Sequence, residues 1–302
     1  MKYLCHLSFG FLLICLLPIC SLAYGLRAPV INDFNAVIAK GDISTPVRYH
    51  SAIHAYLNDV QKQLVYLNQQ LTQIMVATQN NQLLSAQQHY VLAHQSYERI
   101  RPIVILFGNV NQTINSHADD YLKGVQDPRF TGFHLLEYDL FVLKDNSKAY
   151  DDAVNLQHGI DDLHKRVAVE NIDIAKMVQA SADFMEMILN TKLSGQENQF
   201  SHSDLADIDG NVQGSATIIH FLSSFIPSAQ LEPIQYGFSQ IEQILQKYRL
   251  KSKQYQSFDK LTKTDHDKLY SLITEQADRL AKLRAVLNID VYYKYRHKGY
   301  SE

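Results

Sequence analysis

Cysteine is missing from most of the chain. The sequence has 302 residues and three cysteines, all before position 21: Cys5, Cys15 and Cys20. A protein that loses this segment on export has no thiol, which excludes disulfides, thiolate metal ligands and cysteine nucleophiles. Any metal chemistry then depends on imidazole and oxygen donors.

Residues 1–23 have the features of a secretory signal peptide. The apolar stretch at 9–19 is shorter than the roughly 20 residues that a membrane-spanning helix needs. Small residues, Ser21 and Ala23, stand at positions −3 and −1 of a leader-peptidase site. We therefore expect cleavage after Ala23 and a secreted protein. Lipidation of Cys20 is the weaker alternative, because a bulky isoleucine precedes it.

An excess of charge of one sign is also missing. The 28 lysines and arginines nearly balance the 31 aspartates and glutamates, so the formal net charge is −3. This balance gives no general attraction for nucleic acid, and we expect no such partner. The stretch Tyr292–Tyr300 is locally basic, and a solvated chain end is the simpler interpretation.

Strand patterns are lacking as well, whereas helical spacing of apolar residues covers most of the chain. Alternation with period two never persists, and the sequence has no fixed-period repeat. Apolar residues instead recur at steps of three and four, with polar residues between them. The clearest seam is Ile53, Leu57, Val60, Leu64, Leu67, Leu71 and Ile74. The sequence predicts an all-α fold of antiparallel helices joined by polar turns.

Polar interruptions set the predicted domain organisation. The segments GNVNQT, KDNSK and LSGQENQ separate the helical stretches, and the break near Asn146 divides the chain into two bundle-like halves. The predicted parts after the signal peptide are an N-terminal extension at 24–46, a first helical bundle at 47–146, a second helical bundle at 147–290 and a basic tail at 291–302.

The stretch DPRFTGFHLLEYDLF (Asp127–Phe141) places one histidine and one glutamate in an otherwise apolar run. His134 and Glu137 are three residues apart, so on a helix both project from one face and can reach one ion. An imidazole and a carboxylate suit zinc, iron or copper, and further carboxylates favour a harder ion such as ferric iron. The alternative is a buried histidine that only hydrogen-bonds to a nearby acid.

Acids upstream of this stretch are candidates for further ligands. Glu98, Asp119 and Asp120 could join the same ion. Glu98 and Arg101 are also three residues apart, a spacing that favours a surface ion pair. The residues alone leave both interpretations open.

Two familiar motifs are excluded. The zinc-protease signature H-E-x-x-H is absent, because Leu135 and Tyr138 stand where it needs a glutamate and a second histidine. The segment DIDGN fails as a calcium loop, because Leu205 and Ala216 stand where the loop needs acids. Neither a zinc protease nor an EF-hand is therefore predicted.

Three long blocks of the sequence carry a family resemblance. They are YERIRPIVILFGNVNQTINSHADDYLKGVQDPRFTGFHLLEYDLF (Tyr97–Phe141), FSHSDLADIDGNVQG (Phe200–Gly214) and LTKTDHDKLYSLI (Leu261–Ile273). In this order they resemble the imelysin-like family, and within it the iron-uptake proteins of the EfeO and EfeM type. The resemblance extends over about residues 50–290.

This resemblance implies two antiparallel four-helix-bundle-like lobes, export to the periplasm and a role in iron uptake. It implies an inner-membrane iron permease and a periplasmic haem peroxidase as partners. We expect no cupredoxin domain, since the helical pattern begins soon after the predicted signal, as in the short EfeM form. Some family members carry a peptidase label, and some bind acidic polysaccharide.

The family's proposed metal ligands fall by resemblance on four residues of this chain: His134, Glu137, Glu98 and Glu197. Three acidic positions of the family are occupied here by Arg101, Asn115 and Ala118, which alters the site. The guanidinium adds positive charge and competes for Glu98. The residues expected around the ligands are Arg101, Asn115, Asp120, His202 and Asp204.

The leading hypothesis is a periplasmic metal-binding protein of an iron uptake system with a partly altered site. Iron is the expected ligand, and zinc and copper are the alternatives. A second hypothesis is a structural or ligand-binding descendant, for which an anionic polysaccharide or an iron chelate would be suitable. A third is an imelysin-type metallopeptidase. We predict no catalytic residue, because no complete catalytic motif is present.

Overall fold

The computed structural model describes residues 37–39, 45–107, 109–170, 172–252, 254–289 and 292–294. The predicted signal peptide lies outside the described residues, as do most of the predicted extension and of the basic tail. Residues Ala39–Tyr292 form one compact unit, which contains the described helices.

Helices make up nearly all of this unit. The α-helices in the described residues are α1 (His50–Gln79), α2 (Leu83–Val104), α3 (Asn109–Asn115), α4 (Phe133–Tyr138), α5 (Asn146–Val169), α6 (Ile174–Met187), α7 (Asp204–Leu222), α8 (Ser228–Gln246), α9 (Lys263–Ala281) and α10 (Leu283–Val286). Two three-residue strands, β1 (Val37–Ala39) and β2 (Tyr292–Lys294), pair in one small sheet. The all-α prediction is confirmed. In the described part of the chain, no helix is long and apolar enough to cross a membrane.

The predicted helical seam forms the buried face of α1. Its positions from Val60 to Ile74 are at most 1% exposed, as the spacing of three and four residues requires. One detail of the prediction was wrong. The supposed break GNVNQT lies largely in α3, a short helix that buries only Ile114 and Asn115 and so shows little periodicity. The stretch around DIDGN belongs to α7, whose N-cap residue is Ser203.

The helices pack in two groups that meet along α2 and α7. α1 packs against α2 and α5, α6 packs against α7 and α9, and α8 packs against α9. α5 begins at the predicted boundary near Asn146 and returns onto α1. The division into bundles at 47–146 and 147–290 stays a prediction.

Glycines allow α2 and α7 to approach each other closely. A methyl group on Gly210 would lie 2.6 Å from the carbonyl oxygen of Gln95, and one on Gly214 would lie 3.1 Å from the carbonyl carbon of Arg99. A side chain at either position would push the two helices apart. This backbone contact brings the polar residues of α2 directly against those of α7.

Two wider turns of π geometry interrupt the helices next to these polar residues. One, Asp139–Leu143, follows α4, and the other, Ile188–Lys192, follows α6. Such turns change the direction in which side chains project, and they are frequent at functional sites. The second turn ends at Lys192, whose side chain is fully buried.

Candidate metal centre

Many charged and polar side chains gather between α2, α4 and α7, and all of them except that of His117 are buried. They are His94, Glu98 and Arg101 of α2, Asn115 of α3, His117 of the following loop, His134 and Glu137 of α4, Lys192 and Glu197 between α6 and α7, and Asp207 and Asn211 of α7. Charges are rarely buried unless they are paired or bind an ion. The cluster is therefore the candidate functional site.

Three of these side chains form an outer triad, which we define as His117, His134 and Glu197. One donor atom from each lies within 4.8 Å of the other two. Glu197 Oε2 is 3.5 Å from His117 Nε2, and Glu197 Oε1 is 4.0 Å from His134 Nε2. The His117 side chain is 29% exposed, whereas that of His134 is 2% exposed. His117 is thus the member through which solvent meets the triad.

Glu137 determines which nitrogen of His134 is available. Its Oε2 lies 3.1 Å from His134 Nδ1, and its Oε1 accepts from the Ser201 amide at 2.8 Å, the Ser201 hydroxyl at 2.7 Å and the Phe200 amide at 3.2 Å. Burial opposes the charge of Glu137, but the hydrogen bonds from His134 and Ser201 hold its pKa below the usual value. A carboxylate can only accept, so His134 Nδ1 donates.

The other nitrogen of His134 is left with a free lone pair. His134 Nε2 is buried and has no hydrogen-bond partner among the residues that the structure describes. Burial is the largest influence on the ring and lowers its pKa, which keeps it neutral. A neutral imidazole oriented by a carboxylate on its far nitrogen is the usual form of a metal-binding histidine. Two imidazoles and one carboxylate suit a divalent ion such as Fe²⁺, Zn²⁺ or Cu²⁺.

A second group of charges lies deeper, on the side of α7. We define this inner cluster as Lys192 with Glu98, Glu197 and Asp207. Lys192 Nζ is 3.0 Å from Glu98 Oε1, 3.0 Å from Glu197 Oε1 and 3.3 Å from Asp207 Oδ2. Burial alone would lower the pKa of Lys192, but the three carboxylates raise it above the usual value. Its ammonium is therefore charged at neutral pH.

His94 contacts the inner cluster as a cation and does not have a free lone pair. His94 Nδ1 is 3.0 Å from Asp207 Oδ2, and His94 Nε2 is 2.9 Å from Asn115 Oδ1. Both ring nitrogens therefore face an acceptor oxygen, which favours the doubly protonated ring. Burial works against this charge, yet Asp207 and Glu98 raise the pKa of His94 to about 9.

Arg101 joins the outer triad to the inner cluster. Its Nη1 donates to Glu98 Oε1 at 2.8 Å and to Glu197 Oε1 at 2.9 Å. The Arg101 side chain is only 10% exposed, so the pair with Glu98 is buried and not the surface ion pair that spacing alone allowed. Lys192, His117 and Arg101 together outweigh burial and hold the pKa of Glu197 well below its usual range.

Known proteins resemble the chain along most of its length. A family model described as Imelysin, Peptidase M75, matches residues 52–287. The chain belongs to the imelysin family. The iron uptake system components EfeO of Escherichia coli (strain K12) and of Shigella boydii serotype 4 (strain Sb227) are both 33% identical to it over 271 residues. The aligned part is 86% of this chain and 72% of each relative.

A solved structure supports the fold of this imelysin-family chain. The crystal structure of an imelysin-like protein from Psychrobacter arcticum 273-4 superposes with a TM-score of 0.60 at 13% identity, and the match covers 85% of this chain and 100% of that one. The EfeO relatives are named as components of an iron uptake system and not as enzymes. This agrees with the expectation that the chain is not a peptidase, despite the family's name.

The residues that the sequence predicted for this imelysin site fall into two sets. His134, Glu137, Glu98, Glu197, Arg101 and Asn115 are brought together in the cluster. Asn115 Nδ2 reaches Glu197 Oε1 at 3.4 Å, so the residue bridges Glu197 and His94. The placement of these six agrees with the expectation, and their roles as ligands stay a prediction.

The other three predicted residues lie at the edge of the cluster. Asp120 is exposed and accepts from the backbone amide of His117 at 2.9 Å, so it holds the loop of the outer triad. Asp204 is buried, and burial followed by repulsion from Asp207 raises its pKa to about 7. His202 is exposed; its backbone carbonyl accepts from the Phe258 amide at 2.9 Å, and its backbone amide donates to the Asn198 carbonyl at 3.0 Å.

Five residues of the cluster were missed from the sequence. His94 is four residues before Glu98, which is the helical spacing that would have indicated a shared face. Asp207 was considered only as part of a calcium loop. His117 and Lys192 lie in a loop and at the end of a π turn, where no periodicity predicts the direction of a side chain. Asn211 Nδ2 donates to Glu98 Oε2 at 2.6 Å, so both carboxylate oxygens of Glu98 accept a hydrogen bond.

Proposed function

We propose that this chain is a periplasmic component of an iron uptake system and that it binds a divalent metal ion, iron in its biological role, at the outer triad. The observation that carries the proposal is the buried, unpartnered Nε2 of His134, which lies beside Glu197 and His117. Leaving a polar atom buried without a partner costs about 1–3 kcal/mol, and a bound ion would remove that cost.

The proposal changes the role expected for two residues. Glu137 has its oxygens engaged by His134, Ser201 and Phe200, so we assign it to orienting His134. Glu98 has Oε1 facing Arg101 and Lys192, so we assign it to the inner cluster. The partners that follow from the proposed role are an inner-membrane iron permease and a periplasmic haem peroxidase, which would deliver and receive the metal.

Calorimetry tests the proposal directly. Apoprotein prepared with a chelator is titrated with Zn²⁺, and anaerobically with Fe²⁺. We expect about one equivalent to bind, with a loss of more than roughly 100-fold in affinity for His134→Ala and for His117→Ala, since loss of an orienting partner alone costs about 10–100-fold. The matched control is His158→Ala, because His158 is an exposed histidine of α5.

The contradicting result is also clear. Affinity that stays unchanged in a folded His117→Ala, His134→Ala double variant would place the metal elsewhere. Circular dichroism of each variant confirms that the helical fold is retained.

Glu137→Gln tests the proposed orienting role. The amide can still accept from Ser201, but its NH₂ group then faces His134 Nδ1 and donates to it. Hydrogen consequently moves to His134 Nε2 and blocks the ligand position. We expect about 10–100-fold weaker Zn²⁺ binding in calorimetry. Glu232→Gln, at an exposed position of α8, is the control; equal affinity in the two variants would contradict the role.

A further inference from the structure

The inner cluster has the composition of a metal site but holds a cation of its own. Donor atoms of its members Glu98 and Asp207, and of His94 which contacts it, lie within 4.8 Å of one another. Carboxylates that converge in this way are the ligands that hard divalent ions prefer. The Lys192 ammonium, however, lies 3.0–3.3 Å from an oxygen of Glu98, of Glu197 and of Asp207.

The number of N–H donors on the Lys192 ammonium equals the number of carboxylates around it, and the charges are opposite. A lysine carries three N–H donors, and three carboxylate oxygens surround this one. The Lys192 side chain is 0% exposed, and so are those of Glu98 and Asp207. These three side chains are therefore closed off from water, so they do not form a surface ion pair.

The charges of the inner cluster and of the two cations that contact it, Arg101 and His94, cancel without any metal. The positive side chains are Arg101, Lys192 and His94, whose Nδ1 lies 3.0 Å from Asp207 Oδ2; the negative ones are Glu98, Glu197 and Asp207. Three positive groups meet three negative groups. Glu137, which is hydrogen-bonded to His134, stands outside this balance, and a trivalent ion at the outer triad would leave a larger uncompensated charge than a divalent ion.

We infer that Lys192 is a tethered cation that occupies the inner cluster in place of a metal ion. It limits the chain to one divalent ion, which binds at the outer triad, and it disfavours a trivalent ion. The limit of one ion rests on the proposed function, whereas the exclusion of metal from the inner cluster does not. Lys192 is thus a residue that determines the number and the charge of the bound ions.

Four proteins test the inference: the unaltered chain, the His117→Ala, His134→Ala double variant, Lys192→Met and the triple variant that combines them. Methionine has a similar length but no charge, so it vacates the cation position with little change in volume. Each protein is titrated calorimetrically with Zn²⁺ and with Mn²⁺, which prefers carboxylate ligands. Lys282→Met is the control, because Lys282 is exposed and pairs with Asp278 at the surface.

We expect one bound equivalent for the unaltered chain, none for the double variant, two for Lys192→Met and one for the triple variant, with Mn²⁺ favoured in the last. If the triple variant is folded and binds no divalent ion, the inference is overturned. The same holds if Lys192→Met gains no equivalent. If the unaltered chain binds nothing but the triple variant binds one ion, the proposed function fails and the inference stands.

The double variant keeps the inference testable if Lys192→Met does not fold. It retains Lys192 and lacks only the imidazoles of the outer triad. Binding of one equivalent of Mn²⁺ to this protein, lost again in an added Glu98→Gln, would mean that the inner cluster accepts a metal despite Lys192, and the inference would be wrong. No binding supports it.

Discussion

Lys192→Met is expected to lower the free energy of unfolding by about 3–5 kcal/mol, because removing one partner of a buried ion pair leaves the other charge uncompensated. Here three carboxylates lose one ammonium, and Glu98 and Asp207 have no access to water. In a helical unit of this size the loss corresponds to roughly 10 °C in thermal midpoint. Urea unfolding followed by circular dichroism, in the presence of chelator, measures it.

Two comparisons separate this effect from a loss of packing. Lys282→Met removes an exposed lysine and is expected to change the free energy of unfolding by less than about 0.5 kcal/mol. Adding Glu98→Gln to Lys192→Met removes one of the three carboxylate charges that lost the ammonium and should recover part of the loss, a positive coupling in a double-mutant cycle. Stability of Lys192→Met within about 1 kcal/mol of the unaltered chain would contradict the buried ion cluster.

Gly132→Ala is expected to lower the free energy of unfolding by about 4 kcal/mol, as the sum of two costs. Gly132 has φ 91° and ψ −157°, a conformation that is essentially restricted to glycine. A methyl group here would overlap the carbonyl oxygen of Ile114 and lie 2.6 Å from its carbonyl carbon. Gly132 is also the residue before α4, so the variant should weaken Zn²⁺ binding by displacing His134.

Two other glycines separate the contributions. Gly124 has φ 54° and open space around it, so Gly124→Ala isolates the conformational cost, about 1–2 kcal/mol. Gly159 lies inside α5 with its nearest neighbour at 3.6 Å, so Gly159→Ala should stabilise by about 0.5–1 kcal/mol. Urea unfolding of the three variants ranks their free energies of unfolding. Equal stability of Gly132→Ala and Gly124→Ala would show that the close approach to Ile114 does not matter.

Arg101 contacts one acid more than the sequence predicted. The sequence predicted that a guanidinium would compete for Glu98. In the structure Arg101 Nη1 donates to both Glu98 and Glu197, so one side chain neutralises acids on both sides of the cluster. A site arranged in this way is suited to a lower ion charge than a site made of acids alone.

Local pattern determined several features of this protein by itself. The three-and-four spacing that begins at Ile53 specified a long amphipathic helix, because burial of one face stabilises it wherever the helix packs. The spacing of His134 and Glu137 placed both side chains on one face of α4, and they are hydrogen-bonded as that spacing allows. The position of all cysteines before residue 21, within the predicted signal peptide, led to the prediction that the ligands are imidazole and oxygen.

Only the tertiary structure decided which residues meet at the candidate site. Lys192 and His117 project from a π turn and a loop, where the sequence has no period from which a direction can be read. Asp207 reaches His94 because Gly210 and Gly214 let α7 lie against the backbone of α2. Periodicity specifies the face of a helix, but which two faces meet depends on how closely the backbones approach, and that is set by packing of the whole chain.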